Sequence, residues 1–122
     1  MKRVFQTRFG GTHGNCMQAA TASLLELPIE AVPDFIELHD PERRMKKFFE
    51  PYGIELLNRP TTFQPRGLYF MTGVSTQGHE HIVICREGRC VHDPNPHGLG
   101  LVRADEVLWP KALTDRARDL TR

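Results

Sequence analysis

Residues 13–25 constrain the fold more than any other stretch, because they predict a buried helix with a cysteine on its first turn. The segment runs His-Gly-Asn-Cys-Met-Gln-Ala-Ala-Thr-Ala-Ser-Leu-Leu. Asn15 is a favourable N-cap residue, and Gln18 stands three positions later, where a capping-box exchange with Asn15 is expected. The residues that follow are rich in Ala and Leu, and they contain no Gly or Pro before Pro28. We therefore expect a helix over residues 16–26.

Cys16 would lie where free backbone N–H groups and the helix dipole favour negative charge. A thiol in that position loses its proton more easily, and the thiolate is the nucleophilic form of cysteine. Catalysis by such a cysteine also needs a base within hydrogen-bond reach and a group that orients the base. His13, three residues earlier, is expected to be a solvated loop residue, although its charge would also favour the thiolate.

A candidate base and its orienting group come from a predicted β-hairpin. Two apolar β-type runs flank a loop at residues 86–88, and a three-residue loop that ends in Gly fits a type I turn followed by a left-handed residue. In that register His81 lies opposite Asp93, with Cβ atoms about 5 Å apart. A two-residue loop would instead pair Ile82 with Asp93 and move Asp93 to the other face. We expect the three-residue loop.

Cys16, His81 and Asp93 are the residue types of a thiol–imidazole–carboxylate triad. His79 competes with His81 for the role of base. We prefer His81 because it adjoins an apolar strand, where its position can be fixed. Asp93 also begins a loop-forming Asp-Pro-Asn-Pro-His-Gly stretch, so a turn role for Asp93 stays open.

These motifs resemble those of the papain-like cysteine peptidase superfamily, in particular the compact group that includes the bacteriocin leader-peptide peptidases. Short bacterial and phage-encoded proteins look similar too. Gly14-Asn15-Cys16 opens a helix, and Val91-His92-Asp93-Pro94 lies on the strand after the one that His81 precedes. The resemblance covers residues 4–102 in the order of elements.

The resemblance implies further site residues. It implies that Gln6 helps to form an oxyanion hole, with the backbone N–H of Cys16 as the second donor. The alternative for Gln6 is a polar residue that faces water from a short strand over residues 4–9. Papain-like enzymes often orient the histidine with Asn, so the resemblance makes Asn95 a substitute for Asp93.

The remaining pattern predicts one α+β domain over residues 1–122, with a helical N-terminal half packed on an antiparallel sheet from the C-terminal half. Asp40 and Pro41 begin a second helix that stops at Gly53. Its apolar face contains Met45, Phe48, Phe49 and Tyr52, and its outer face contains Arg43, Arg44, Lys46 and Lys47. Strands are expected over residues 54–57, 68–74 and 99–102. Residues 111–122 are expected to form a surface helix or a frayed tail.

Composition narrows the class of protein. The net charge is +1, with 25% charged and 39% hydrophobic residues. That balance suggests neither a nucleic-acid partner nor a membrane surface. There is no long apolar run and no apolar signal core after the N-terminus, so we expect a cytoplasmic protein. Its three cysteines are expected to be thiols, with Cys85 and Cys90 as small core residues.

We expect a thiol hydrolase, most simply a cysteine peptidase or isopeptidase acting on a peptide or protein, with no cofactor and no metal. The same triad also serves acyl and amide transferases, and a non-catalytic binding module could keep the same scaffold. A metal site is a further alternative, because several side chains in this region are of metal-ligand types. They are a cysteine together with His79, His81, His92, Asp93 and His97.

Overall fold

The computed structural model describes residues 1–10 and 14–122, so the expectation for His13 lies outside the described residues. Within them the fold is α+β, with helices packed on a five-stranded antiparallel sheet. The strand order is β1-β5-β2-β3-β4. The strands are β1 (Ile54–Arg59), β2 (Leu68–Val74), β3 (Glu80–Arg86), β4 (Arg89–His92) and β5 (Arg103–Ala112).

The helices begin and end close to the predicted positions. They are α1 (Cys16–Leu25), α2 (Pro41–Phe49) and α3 (Asp115–Leu120), with short 3-10 helices at Ile29–Ala31, Phe35–Glu37 and Glu50–Tyr52. Helix α1 ends when Glu26 adopts a left-handed conformation with φ of 57°. Helix α2 starts with Pro41 at its first turn, and the 3-10 turn that continues it stops at Gly53, where φ is 73°. Gly tolerates this conformation without steric cost.

The longest strand was not predicted. The expected strand at 99–102 is wrong, because the chain enters the sheet only at Arg103 and stays in it as far as Ala112. β5 lies between β1 and β2 and pairs with both of them. The last residues are therefore not a frayed tail. β5 takes up residues 111 and 112, and α3 packs through its buried Ala117.

The sheet has an apolar cluster on each face. The larger cluster joins α1 and α2 to the sheet through buried residues such as Leu24, Phe49 and Ile84. The smaller one contains Tyr69, Val83, Cys85 and Val107, with Phe63 and Trp109 packed against it. Cys85 is therefore a core residue as expected, whereas the expectation for Cys90 is wrong, because its side chain is exposed.

The hairpin between β3 and β4 departs from the expected register. Its turn consists of Glu87 and Gly88 alone, with φ of 52° and 77°, as a type I′ turn requires. Cys85 therefore faces Cys90, so the predicted three-residue loop is wrong. A bulge follows at once, and beyond it Ile84 faces His92. A shift of one residue turns each side chain to the other face of the sheet. The extra residue in the bulge therefore returns the His92 side chain to the face that the predicted register gave it.

The N-terminal segment has no regular secondary structure, so the expected strand over residues 4–9 is wrong. Its backbone is held instead by groups from α1 and from the end of β4. The N–H of Val4 donates to the Ser23 hydroxyl at 2.9 Å, and the carbonyl of Val4 accepts from His92 Nε2 at 2.8 Å. The N–H of Gln6 donates to the Pro94 carbonyl at 2.8 Å. Residues 4–6 thus lie between the first helix and the hairpin.

Asn15 fixes the next part of this segment rather than capping α1 by a side-chain hydrogen bond. Its Oδ1 accepts from the N–H groups of Thr7 and Arg8, both at 2.9 Å. Its Nδ2 donates to the Thr7 hydroxyl and to Gln18 Oε1. Gln18 in turn donates to the carbonyls of Ile29 and Val32, so the expected capping-box exchange does not occur.

We predict that Asn15→Ala destabilises the fold by about 2–3 kcal/mol, because the change removes the four hydrogen bonds of a side chain that is only 2% exposed. Urea unfolding followed by circular dichroism measures the effect. Gln64→Ala, on an exposed loop, is the control and should change the free energy of unfolding by less than about 0.5 kcal/mol. Equal stability of the two variants would contradict the prediction.

Candidate active site

Cys16, His81 and Asp93 come together where the start of α1 meets the open end of the β3–β4 hairpin. Cys16 is the first residue of α1 and is buried, with 6% of its surface exposed. His81, near the start of β3, is 7% exposed. Its Nε2 lies 2.6 Å from Asp93 Oδ1. The expected contact between His81 and Asp93 is therefore present, although the register that predicted it is not.

Asp93 is held by two backbone donors besides His81. The N–H of Asn95 donates to Oδ1 at 2.9 Å, and the N–H of Gly100 donates to Oδ2 at 2.7 Å. Asp93 therefore accepts hydrogen bonds from the loop that follows it and also bonds to His81. Its role as a turn residue and its role as the partner of the histidine are compatible. Burial opposes ionisation of this carboxyl group, but the three hydrogen bonds outweigh burial and hold its pKa below the usual value.

The position of His81 is set by the β2–β3 connection. His81 lies opposite Gly73 in β2, and the turn before it is closed by the Ser75 N–H, which donates to the His79 carbonyl at 2.8 Å. A Cβ atom on Gly73 would lie 1.8 Å from the Arg103 carbonyl oxygen. Gly73 thus allows β5 to approach the strand that pairs with His81.

Burial disfavours the charged form of His81, but the hydrogen bond to Asp93 and the electrostatic interactions with Asp93 and Cys16 outweigh it. Together they raise the pKa of His81 to about 9. Asp93 occupies Nε2, so Nδ1 is the ring nitrogen left for the Cys16 thiol. At neutral pH the site therefore holds a protonated imidazole between a carboxylate and a sulfur atom.

Gln6 lies beside this group, as the resemblance implied, and the alternative of a water-facing strand residue is wrong. It is 7% exposed and lines a small cavity together with Cys16 and His81. Its Nε2 donates one hydrogen to the Arg8 carbonyl at 2.9 Å, which leaves the second amide hydrogen free to donate. The N–H of Cys16 is in the first turn of α1, where backbone donors have no acceptor within the helix.

A cleft of about 410 Å³ opens over Cys16 and His81. Its apolar walls come from Met17, Ile36, Pro41 and Ile82, and residues 78–80 form the rest. Pro41 belongs to the start of α2 and Ile36 to the 3-10 turn before it. Sequence reasoning did not find these two wall residues, because no local pattern signals which loop covers a distant helix terminus.

The remaining candidates have other positions. His79 is exposed and lines the cleft. Asn95 is buried near the site, and its side chain accepts from the His97 N–H rather than from His81. His92 donates to the Val4 carbonyl, and burial keeps its pKa below the usual value. Across residues 1–10 and 14–122, no group of three or more His, Cys, Asp or Glu side chains could hold a metal ion.

No protein-family model matches this chain, and neither a curated protein nor a solved structure matches it. Function is therefore inferred from the geometry of the site. As for membranes, the described residues include no helix with the length and apolar character needed to cross a bilayer.

We predict that the Hε1 resonance of His81 titrates with a midpoint near pH 9, above the ordinary 6.5. Asp93→Asn should lower this midpoint, because it removes the carboxylate that favours the imidazolium. NMR titration measures both values, with the assignment made from His81→Gln. A wild-type midpoint at or below 6.5 would contradict the geometry of the pair.

The raised pKa of His81 also makes the stability of the fold depend on pH. The folded-state pKa of His81 lies above its ordinary value, so the folded protein binds this proton more tightly than the unfolded chain does. The stabilisation is complete below pH 6.5 and is lost as the pH rises through about 9. The free energy of unfolding should therefore fall over this range in the wild type and fall less in His81→Gln.

Proposed function

We propose that this protein is a papain-like thiol hydrolase that cleaves an amide bond, as a cysteine peptidase or isopeptidase does. One observation carries the proposal. His81 is bonded through Nε2 to Asp93 at 2.6 Å and lies beside Cys16, the first residue of a helix, at the surface of one cleft. This is the arrangement of nucleophile, base and orienting carboxylate that acyl transfer to sulfur requires. The antiparallel sheet behind the helix also supports the papain-like assignment.

In the proposed reaction, Cys16 Sγ attacks the carbonyl carbon of the substrate while its proton is held on His81. The carbonyl oxygen becomes an oxyanion, which the free hydrogen of Gln6 Nε2 and the N–H of Cys16 stabilise. The C–N bond then breaks, and His81 gives its proton to the leaving amine. Water attacks the resulting thioester as His81 takes its proton. The C–S bond then breaks, the acid is released, and Cys16 returns to its starting state with the proton on His81.

The cleft indicates the chemical character of the substrate next to the scissile bond. Its walls are mainly apolar, and Cys16 and His81 both lie on its surface. An extended peptide is therefore a better fit than a small polar metabolite, because apolar walls gain free energy by covering apolar side chains. We assign the substrate class as peptide or protein on this basis.

The first test is the rate of Cys16 alkylation by iodoacetamide as a function of pH, read for each thiol by mass spectrometry. We expect alkylation well below the pKa of a free thiol, about 8.5, and a loss of this reactivity in His81→Ala. Cys90 is the internal comparison, because its side chain is exposed. Partial desolvation of its thiol and the nearby charge of Asp93 raise its pKa. His79→Ala is the matched variant and should react like the wild type.

A peptide library derived from cell lysate, incubated with the protein and analysed for new termini, then tests cleavage. Cleavage products should appear with wild-type protein and be absent with Cys16→Ala and His81→Ala. Ordinary thiol reactivity that His81→Ala does not change, together with no cleavage, would instead favour the binding module.

Gln6→Ala tests the role of Gln6 as an oxyanion donor independently of the reactivity of Cys16. We predict a fall in kcat of about 10²–10³, typical for loss of one oxyanion donor. The rate of Cys16 alkylation by iodoacetamide should stay unchanged, since displacement of iodide creates no oxyanion. A parallel fall in both rates would show that Gln6 maintains the structure of the site instead. An unchanged kcat would remove Gln6 from the mechanism.

A further inference from the structure

A second and larger groove lies away from Cys16, between α2 and the start of α3. Its volume is about 940 Å³. Pro33, Phe35, Phe48, Pro51 and Tyr52 supply its apolar surface. Two aromatic contacts join three of these side chains, with ring centroids 5.8 Å apart for Phe35–Phe48 and 6.0 Å apart for Phe48–Tyr52.

The helix pattern explains why this surface is open. Met45 and Phe49 of the predicted apolar face are fully buried, as expected for core residues. Phe48 and Tyr52, from the same predicted face, are only partly buried and border the groove. Phe48 and Tyr52 lie toward one side of this apolar face, so they are at the edge of the core rather than inside it.

Three cations surround the groove. Arg44 and Lys47 come from α2, and Arg116 comes from α3. Among the ion pairs of residues 1–10 and 14–122, none involves these three side chains. By contrast, the neighbouring Arg43 and Lys46 of α2 pair with Asp40 and Glu42. Within α2, the cations without carboxylate partners are thus the two that face the groove.

We propose that this groove binds an acidic peptide segment of a partner protein, with an apolar or aromatic side chain of that segment lying on Phe48 and Tyr52. Carboxylates on either side would pair with Arg44, Lys47 and Arg116. A peptide fits better than a nucleic acid, because the groove has separate cations around an apolar and aromatic surface rather than a continuous row of positive charge. The small net charge of +1 also gives no extended positive field. This site is separate from the proposed hydrolase site.

The test uses fluorescence anisotropy with a fluorescein-labelled peptide, Glu-Glu-Leu-Glu-Phe-Glu-Glu-Leu, and the whole protein. Saturable binding is expected, and added salt should weaken it. The double variant Arg44→Glu/Lys47→Glu should raise Kd by at least about tenfold. Arg116→Glu, on a different helix, should raise Kd several-fold by itself. All three side chains change at the surface, so circular dichroism should show an unchanged fold.

The matched control is Arg66→Glu/Arg89→Glu, which changes the net charge equally at two exposed positions outside the groove. Its Kd should stay within about twofold of the wild type. Equal weakening in the control, absence of saturable binding, or equal affinity for a peptide with Lys in place of Glu would each overturn the proposal. Tighter binding of a labelled oligothymidylate, lost in the groove variant, would also overturn it and assign the groove to nucleic acid. None of these outcomes bears on Cys16 reactivity, so the two proposals fail separately.

Discussion

Three consecutive residues at the end of the hairpin hold the candidate site together. His92 donates to the Val4 carbonyl, Asp93 bonds to His81, and the Pro94 carbonyl accepts from the Gln6 N–H. Two of these contacts join the N-terminal segment to the end of β4, and the third joins β3 to it through His81. The position of Gln6 and the orientation of His81 therefore depend on one backbone segment, and the bulge in the hairpin decides where that segment lies.

The hairpin shows how a sequence prediction can be right about a contact and wrong about its cause. Gly88 indicated a turn, and the apolar runs on both sides indicated two strands. The choice between a two-residue and a three-residue loop depended on whether Glu87 could adopt a left-handed conformation, which a non-Gly residue does only at some cost. No sequence signal marked the bulge between Cys90 and His92. Its extra residue cancelled the error in side-chain direction, and Asp93 still reached His81.

Local signals predicted the bounds of the helices well: Pro41 begins α2, and Gly53 ends the turn that continues it. Asn15 and Asp40 precede their helices as expected, although neither side chain makes a capping hydrogen bond. The prediction failed for the strand at 99–102 and for β5, because pairing with distant strands rather than local sequence decides where this strand lies. Residues 103–112 contain charged side chains and Pro110, which argue against a central strand. Pairing with both β1 and β2 overrides that local preference. The interactions of Asn15 with Thr7 and Arg8 were equally hidden, because they form only once the N-terminal segment lies against α1.

His81 and His92 show how the fold gives one residue type two functions. Both are buried, and burial alone would lower the pKa of each. His92 faces a backbone carbonyl, which is a weak partner for a cation, so burial prevails and the ring is neutral. His81 faces a carboxylate and a thiol, so its charged form prevails. Only His81 can therefore supply a proton near neutral pH and take it back in a reaction, whereas His92 holds the N-terminal segment in place without changing charge.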